Sequence, residues 1–138
     1  MSSFLLSIGL IVACVSFDYE TLRLINDWLP GTSWIGHRQK VLAAMFGAIV
    51  SHLCQITFFA LALYLLRQGL GQGMLGGSFD GSFASYLYFS AETYTSLGFG
   101  DIYPAGQIRL LAGIEALTGL LMINWTATFT YLEMRRYW

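Results

Sequence analysis

Residues 41–66, VLAAMFGAIVSHLCQITFFALALYLL, run for 26 residues without a formally charged side chain. A bilayer core takes about 20 apolar residues in helix, so this run spans with room to tilt. That constrains everything else, because in hydrocarbon each backbone N–H and C=O has to be satisfied by the protein itself. A second run, residues 110–132, carries one acid, Glu115, and is also long enough. A third, FLLSIGLIVACVSF at 4–17, is short alone. With the DYETLRLINDWL that follows, it makes one helix whose second half leaves the bilayer or packs against protein. Only 11% of the chain is charged, against about 25% in a soluble domain. The expectation is an all-α membrane protein forming a single membrane domain over 1–138, with an N-terminal helix at 1–30, an outer helix at 38–67 and an inner helix at 107–136.

The first 22 residues hold no Lys or Arg, so the positive region of a signal peptide is missing and the first helix is read as retained. Arg38 and Lys40 precede the second run, and Arg135 and Arg136 follow the last. The positive-inside rule puts both pairs, and Arg23, on the cytoplasmic side, and Arg67 and Arg109 outside. Trp28, Trp34, Tyr137 and Trp138 suit interfacial anchoring. A net charge of −1 gives no reason to expect nucleic acid. Cys14 and Cys54 lie in apolar runs without metal-ligand spacing and read as small buried hydrophobes. There is no nucleophile–base constellation, metal-ligand cluster or phosphate loop, so neither an enzyme nor a small-molecule substrate is expected.

Between the last two runs the pattern changes. Residues 67–82 contain six glycines and read as a flexible outer loop. SFASYLYFSAETYT at 82–95 is apolar and aromatic but too short to span, which suits a re-entrant helix. Then come Ser96, Leu97, Gly98, Phe99 and Gly100, followed by Asp101. Glycine at alternate positions allows positive φ without steric cost. Backbone of alternating hand points successive carbonyls to one side, and four such strands around an axis stack rings of oxygens that replace a cation's hydration shell. The preceding short helix aims the negative end of its dipole at the same place. One chain supplies a quarter of such a site, so a homotetramer in the lipid bilayer is implied.

This segment resembles the pore of potassium channels, whose signature is TVGYGD. YFSAETYTSLGFGDIYP at 88–104 aligns without a gap to WWSVETATTVGYGDLYP of bacterial two-helix potassium channels, and the likeness extends more loosely to Tyr131. The resemblance implies a selectivity filter at 96–101, with potassium ions held by Ser96, Leu97, Gly98 and Phe99 and the outer mouth completed by Gly100 and Asp101. Glu92 and Asp101 match a carboxyl pair bracing the filter from behind. Phe89 and Phe99 stand where the family has an indole and a phenol bonded to each other, so both ends of that bond are absent together. Permeant potassium ions, and no cofactor, are implied, with the filter facing outward from the inner cell membrane. Gly119 matches a hinge glycine of the inner helix, and equally suits close helix packing. Ile123 and Ala127 are candidates for pore lining, with Asn124, Thr126, Thr128 and Thr130 giving that half of the helix a polar side. His52 and Gln55 share a helix face, and a pairing of His52 with Glu115 is expected as a proton sensor or a structural bond. With nothing after Trp138 and no spaced arginines before the pore, gating is expected from helix motion, pH, lipid or a partner. The function implied is a potassium-selective or potassium-preferring channel; the alternative is a non-conducting or weakly selective membrane subunit that regulates a partner.

Overall fold

Three helices long and apolar enough to cross a membrane are present among the described residues of the computed structural model: Leu5–Gly31, His37–Gly69 and Ile108–Tyr137. Residues 2–32, 34, 36–70 and 73–137 are described. Trp138, expected as an interfacial anchor, lies outside them. The first helix, α1 (Ser2–Gly31), is continuous through the polar half that follows Phe17. It stops after Pro30, where Thr32 returns its N–H to the Leu29 carbonyl and its hydroxyl to that of Trp28 (3.4 and 3.0 Å). The second, α2 (His37–Leu70), starts with the Gln39 side chain accepting from the Gly36 N–H at 3.1 Å, half of a capping box. Its last turn carries Arg67, whose guanidinium lies 4.5 Å over the Phe79 ring and donates to the Tyr86 hydroxyl at 3.3 Å.

The described part of the glycine-rich stretch after α2, residues 73–82, is more ordered than its composition implies, and residues 71 and 72 of the expected loop lie outside the described residues. Strand β1 (Met74–Gly77) pairs antiparallel with β2 (Ile102–Ala105), Gly77 facing Ile102 and Met74 facing Ala105. Glycine serves close approach here, rather than freedom. A β-carbon at Gly77 (φ 81°) would collide with the Asp101 carbonyl, and one at Gly76 would meet the Tyr103 ring. Beyond β1, Ser78 N–H donates to that same Asp101 carbonyl at 2.8 Å.

The short helix α3 (Phe83–Tyr94) is capped by Ser82, whose hydroxyl accepts from Ser85 N–H at 3.3 Å. Beneath the cap, Asp80 accepts from the Ser85 hydroxyl at 2.5 Å and from the Ser82 hydroxyl and N–H at 2.7 and 2.9 Å. Those bonds, the Ser85 hydroxyl foremost, hold the Asp80 carboxyl down at about 2. The helix packs between α2 and α4 (Ile108–Tyr137), burying Tyr86, Phe89 and Tyr94 with Phe59, Leu63, Leu111 and Met122. Gly119 of α4 lies where a β-carbon would strike the carbonyl of Tyr94, so its smallness sets the distance between α3 and α4. At the opposite end, Arg136 donates to Asn26 at 3.1 Å, and Lys40 lies 5.2 Å from the Tyr137 ring centroid. That gathers the basic ends of α2 and α4 beside the end of α1.

Two outcomes follow from these contacts. Gly119→Val forces α3 and α4 apart and is expected to cost about 1–3 kcal/mol, as overpacking does, read as a lower unfolding midpoint in detergent. The Asp80 carboxyl is depressed below its ordinary 3.8, so its stabilisation is full above that pH and lost as pH falls toward about 2. Asp80→Asn should therefore lower the midpoint at pH 6 and have a much smaller effect at pH 2.

Candidate functional site

Helix α3 ends at Tyr94, and Thr95 caps it in right-handed conformation, donating its N–H to the Ala91 carbonyl at 3.1 Å. From there the backbone alternates: Ser96, Gly98 and Gly100 have φ of 58°, 56° and 80°. Glycine adopts such values freely; at Ser96 a side chain is held where L-residues are uncommon, so surrounding bonds have to enforce it. They are on the donor side of the loop. Ser96 N–H reaches the Thr93 carbonyl at 3.0 Å, and Leu97 and Gly98 N–H reach the Glu92 carbonyl at 2.8 and 3.2 Å. Phe99 N–H donates to the Glu92 carboxylate at 3.0 Å.

The acceptor side is different. Among the described residues, no hydrogen bond is received by the carbonyl oxygens from Ser96 to Gly100. Four consecutive amides are turned back onto α3, while the oxygens of the same stretch are left for another partner. Carbonyl oxygens in that state are hard ligands suited to alkali and alkaline-earth cations.

Beyond Gly100 the loop is tied down twice. Asp101 accepts from Ser78 N–H through its carbonyl at 2.8 Å and from the Tyr88 hydroxyl through its carboxylate at 3.1 Å. Glu92 and Asp101 thus brace the loop separately, each with its own donor. Phe89 is buried and lines a cavity of about 330 Å³ behind the loop, together with Glu92, Gly98, Gly100, Ala112 and Ala116. The side chains of Leu97 and Phe99 are 60% and 66% exposed.

His52 and Glu115 are not brought together; each is taken by a residue of α3. His52 Nδ1 lies 3.0 Å from the Tyr94 hydroxyl, which donates to Gln55 Oε1 at 2.8 Å. The buried Glu115 carboxyl meets the Ser90 hydroxyl, which also reaches the Ile56 carbonyl at 2.8 Å. Ile123 and Ala127, four residues apart on α4, are both exposed and share a face. Asn124, Thr128 and Thr130 bond to carbonyls one turn back on their own helix, at 2.8 to 3.0 Å, so their polarity is largely spent there. Thr126 instead reaches Asp18 of α1 at 3.4 Å.

Asp18, Ser90 and Tyr88 are the residues that reading the sequence passes over. Asp18 carried a signal, being an acid in the middle of a span-length segment. Tyr88 and Ser90 look like ordinary members of an aromatic helix until their partners are seen.

The ion-channel family model matches residues 45–134, which hold most of α2, all of α3, the loop and most of α4. The chain is also similar to the inward rectifier potassium channel Kirbac3.1 of Paramagnetospirillum magnetotacticum, at 24% identity over 110 residues. That match covers 78% of this chain and 37% of the relative, so the chain spans little more than a third of the protein it resembles. No solved structure matches it. A family match running through the loop and the helices on either side of it makes this chain a member of the ion-channel family, a transport protein rather than an enzyme.

Proposed function

We propose that the chain assembles as a homotetramer and conducts potassium in preference to sodium through rings of carbonyl oxygens from Ser96, Leu97, Gly98 and Phe99, with Gly100 at the outer mouth. One observation carries this reading: the amides of residues 96–99 are bonded back to α3, while no described bond reaches the oxygens of 96–100. A dehydrating potassium ion needs oxygens that nothing else occupies, held by a frame that does not rotate to offer it a donor. The similarity to an inward rectifier potassium channel supports the choice of ion.

In this reading a single chain supplies one quarter of each ring. Leu97 and Phe99 are large apolar side chains left exposed, and apolar surface of that kind marks a contact face. The cavity behind the loop, about 330 Å³ and lined by Phe89 and Ala112 among others, offers space for the corresponding side chains of a neighbouring copy. In this arrangement Glu92, Asp101 and Phe89 support the filter, and Ile123 and Ala127 line the pathway below it. Gly119 packs against Tyr94 and doubles as a point of bending. The protein sits in the inner cell membrane with Arg67 and Arg109 outside, and it holds permeant ions rather than a resident cofactor.

Purified protein in liposomes is expected to pass potassium down its gradient, with sodium flux at least about tenfold lower. Gly98→Ala should abolish the flux. Its β-carbon meets nothing within 4 Å, so the loss comes from forcing an alanine to φ 56°, a conformation costing about 1–2 kcal/mol per residue in each of four strands. A tight, flux-free wild-type protein over a range of pH overturns the channel reading and leaves a non-conducting subunit. Glu92→Leu leaves the Phe99 N–H without its acceptor at a cost of about 1–3 kcal/mol, and should lower the potassium-to-sodium flux ratio. Glu92→Gln, which retains an acceptor oxygen, should stay near wild type.

A further inference from the structure

The family match starts at residue 45 and leaves α1 out. Two long helices and a re-entrant one complete a pore without it. Yet α1 carries a carboxyl group at its centre. Asp18 is the fourteenth of the 27 residues of the span Leu5–Gly31, about 20 Å of helix from either end, and its exposure is 0%. An ionisable side chain at that depth is costly unless its oxygens are occupied.

They are, by donors from two other helices. Asp18 Oδ1 accepts from the Ser51 hydroxyl at 2.8 Å and from Gln55 Nε2 at 3.0 Å, both on α2. Its Oδ2 accepts from the Thr126 hydroxyl of α4 at 3.4 Å. With Asp18 Oδ1 accepting from its amide nitrogen, Gln55 turns its oxygen away. That oxygen takes the proton of the Tyr94 hydroxyl at 2.8 Å. A phenol has one proton to give, which makes His52 Nδ1, 3.0 Å from the same hydroxyl, the donor there. One buried group of α1 therefore sets the direction of every hydrogen bond from Gln55 through Tyr94 to His52. Tyr94 is the last residue of α3, two residues before Ser96, and is wholly buried.

We propose that Asp18 is a positioning residue for the loop 96–100, through which α1 controls ion selectivity from inside the membrane by way of Gln55 and Tyr94. The effect on selectivity rests on the channel reading above; the effect on the position of the loop does not.

The test uses the full chain, as wild type, Asp18→Leu, Asp18→Asn, Tyr94→Phe and the Asp18→Leu/Tyr94→Phe double variant. Hydrogen exchange of the peptide covering 95–101 is followed by mass spectrometry, alongside potassium and sodium flux in liposomes. Asp18→Leu and Tyr94→Phe should each speed exchange of 95–101 by about five- to tenfold, the effect of losing one buried hydrogen bond. Each should lower the potassium-to-sodium flux ratio by a similar factor. The double variant should be no worse than Asp18→Leu alone, since both cut one thread. Asp18→Asn keeps an acceptor for Ser51 and Gln55 and offers its amide to the Thr126 hydroxyl, so it should behave as wild type. Unchanged exchange of 95–101 in Asp18→Leu overturns the proposal. So does protection lost evenly over α1, α2 and α4, or an Asp18→Asn variant as impaired as Asp18→Leu. If Asp18→Leu does not assemble, Tyr94→Phe decides on the same two readouts, unchanged exchange of 95–101 overturning the proposal. A wild type that passes no ions overturns the channel reading, and the exchange comparison still decides this one.

Discussion

Three consecutive amides, those of Leu97, Gly98 and Phe99, end on one residue. The carbonyl of Glu92 takes the first two, and its carboxylate takes the third. Irregular backbone at membrane depth survives only if its polar groups find partners in the protein or in water within a cavity. Glu92 meets that requirement on one side alone, and it is itself buried to 5% exposure. With the donors drawn toward α3, the local field on the other face of the loop is that of oxygens. Had the amides been left loose, each could rotate its hydrogen toward that face.

The usefulness of that arrangement depends on where α3 stands, and apolar burial by itself does not decide it. Burial of Tyr86, Phe89 and Tyr94 brings close van der Waals packing, but such contact has no direction. A helix of 12 residues packed only by such contacts could turn about its axis. Directional bonds fix the turn: Ser90 to the carbonyl of Ile56 and the carboxyl of Glu115, Tyr94 to Gln55, Tyr88 to Asp101. Ser90 and Tyr94, four residues apart, act from one face of the helix, and Tyr88 from another.

The helices were legible because lipid is an undiscriminating solvent: length and hydropathy decide what crosses it, and both can be read off residues 41–66 and 110–132 directly. The loop stood out for the converse reason, as glycine and carboxylate where neither belongs. What escaped was whatever needed two distant pieces of chain at once. Asp18 precedes Tyr19 and Glu20 and reads as the first residue of a polar half. Its partners lie 33, 37 and 108 residues away. His52 and Glu115 read as natural partners, being ionisable and opposite, yet α3 stands between their helices and takes one with Tyr94 and the other with Ser90. Composition likewise misread residues 74–77, because glycine counts the same whether it frees a chain or lets two strands touch.

The ribbon formed by β1 and β2 gives that last point a mechanical meaning. It joins the chain at Met74 to the chain at Ala105, so everything between them, α3 and the loop included, forms a closed circuit stapled at its base. A circuit of that kind rides on its supports. Drawing Met74 away from Ala105 means breaking the ladder of strand hydrogen bonds before the segment between them can be stretched.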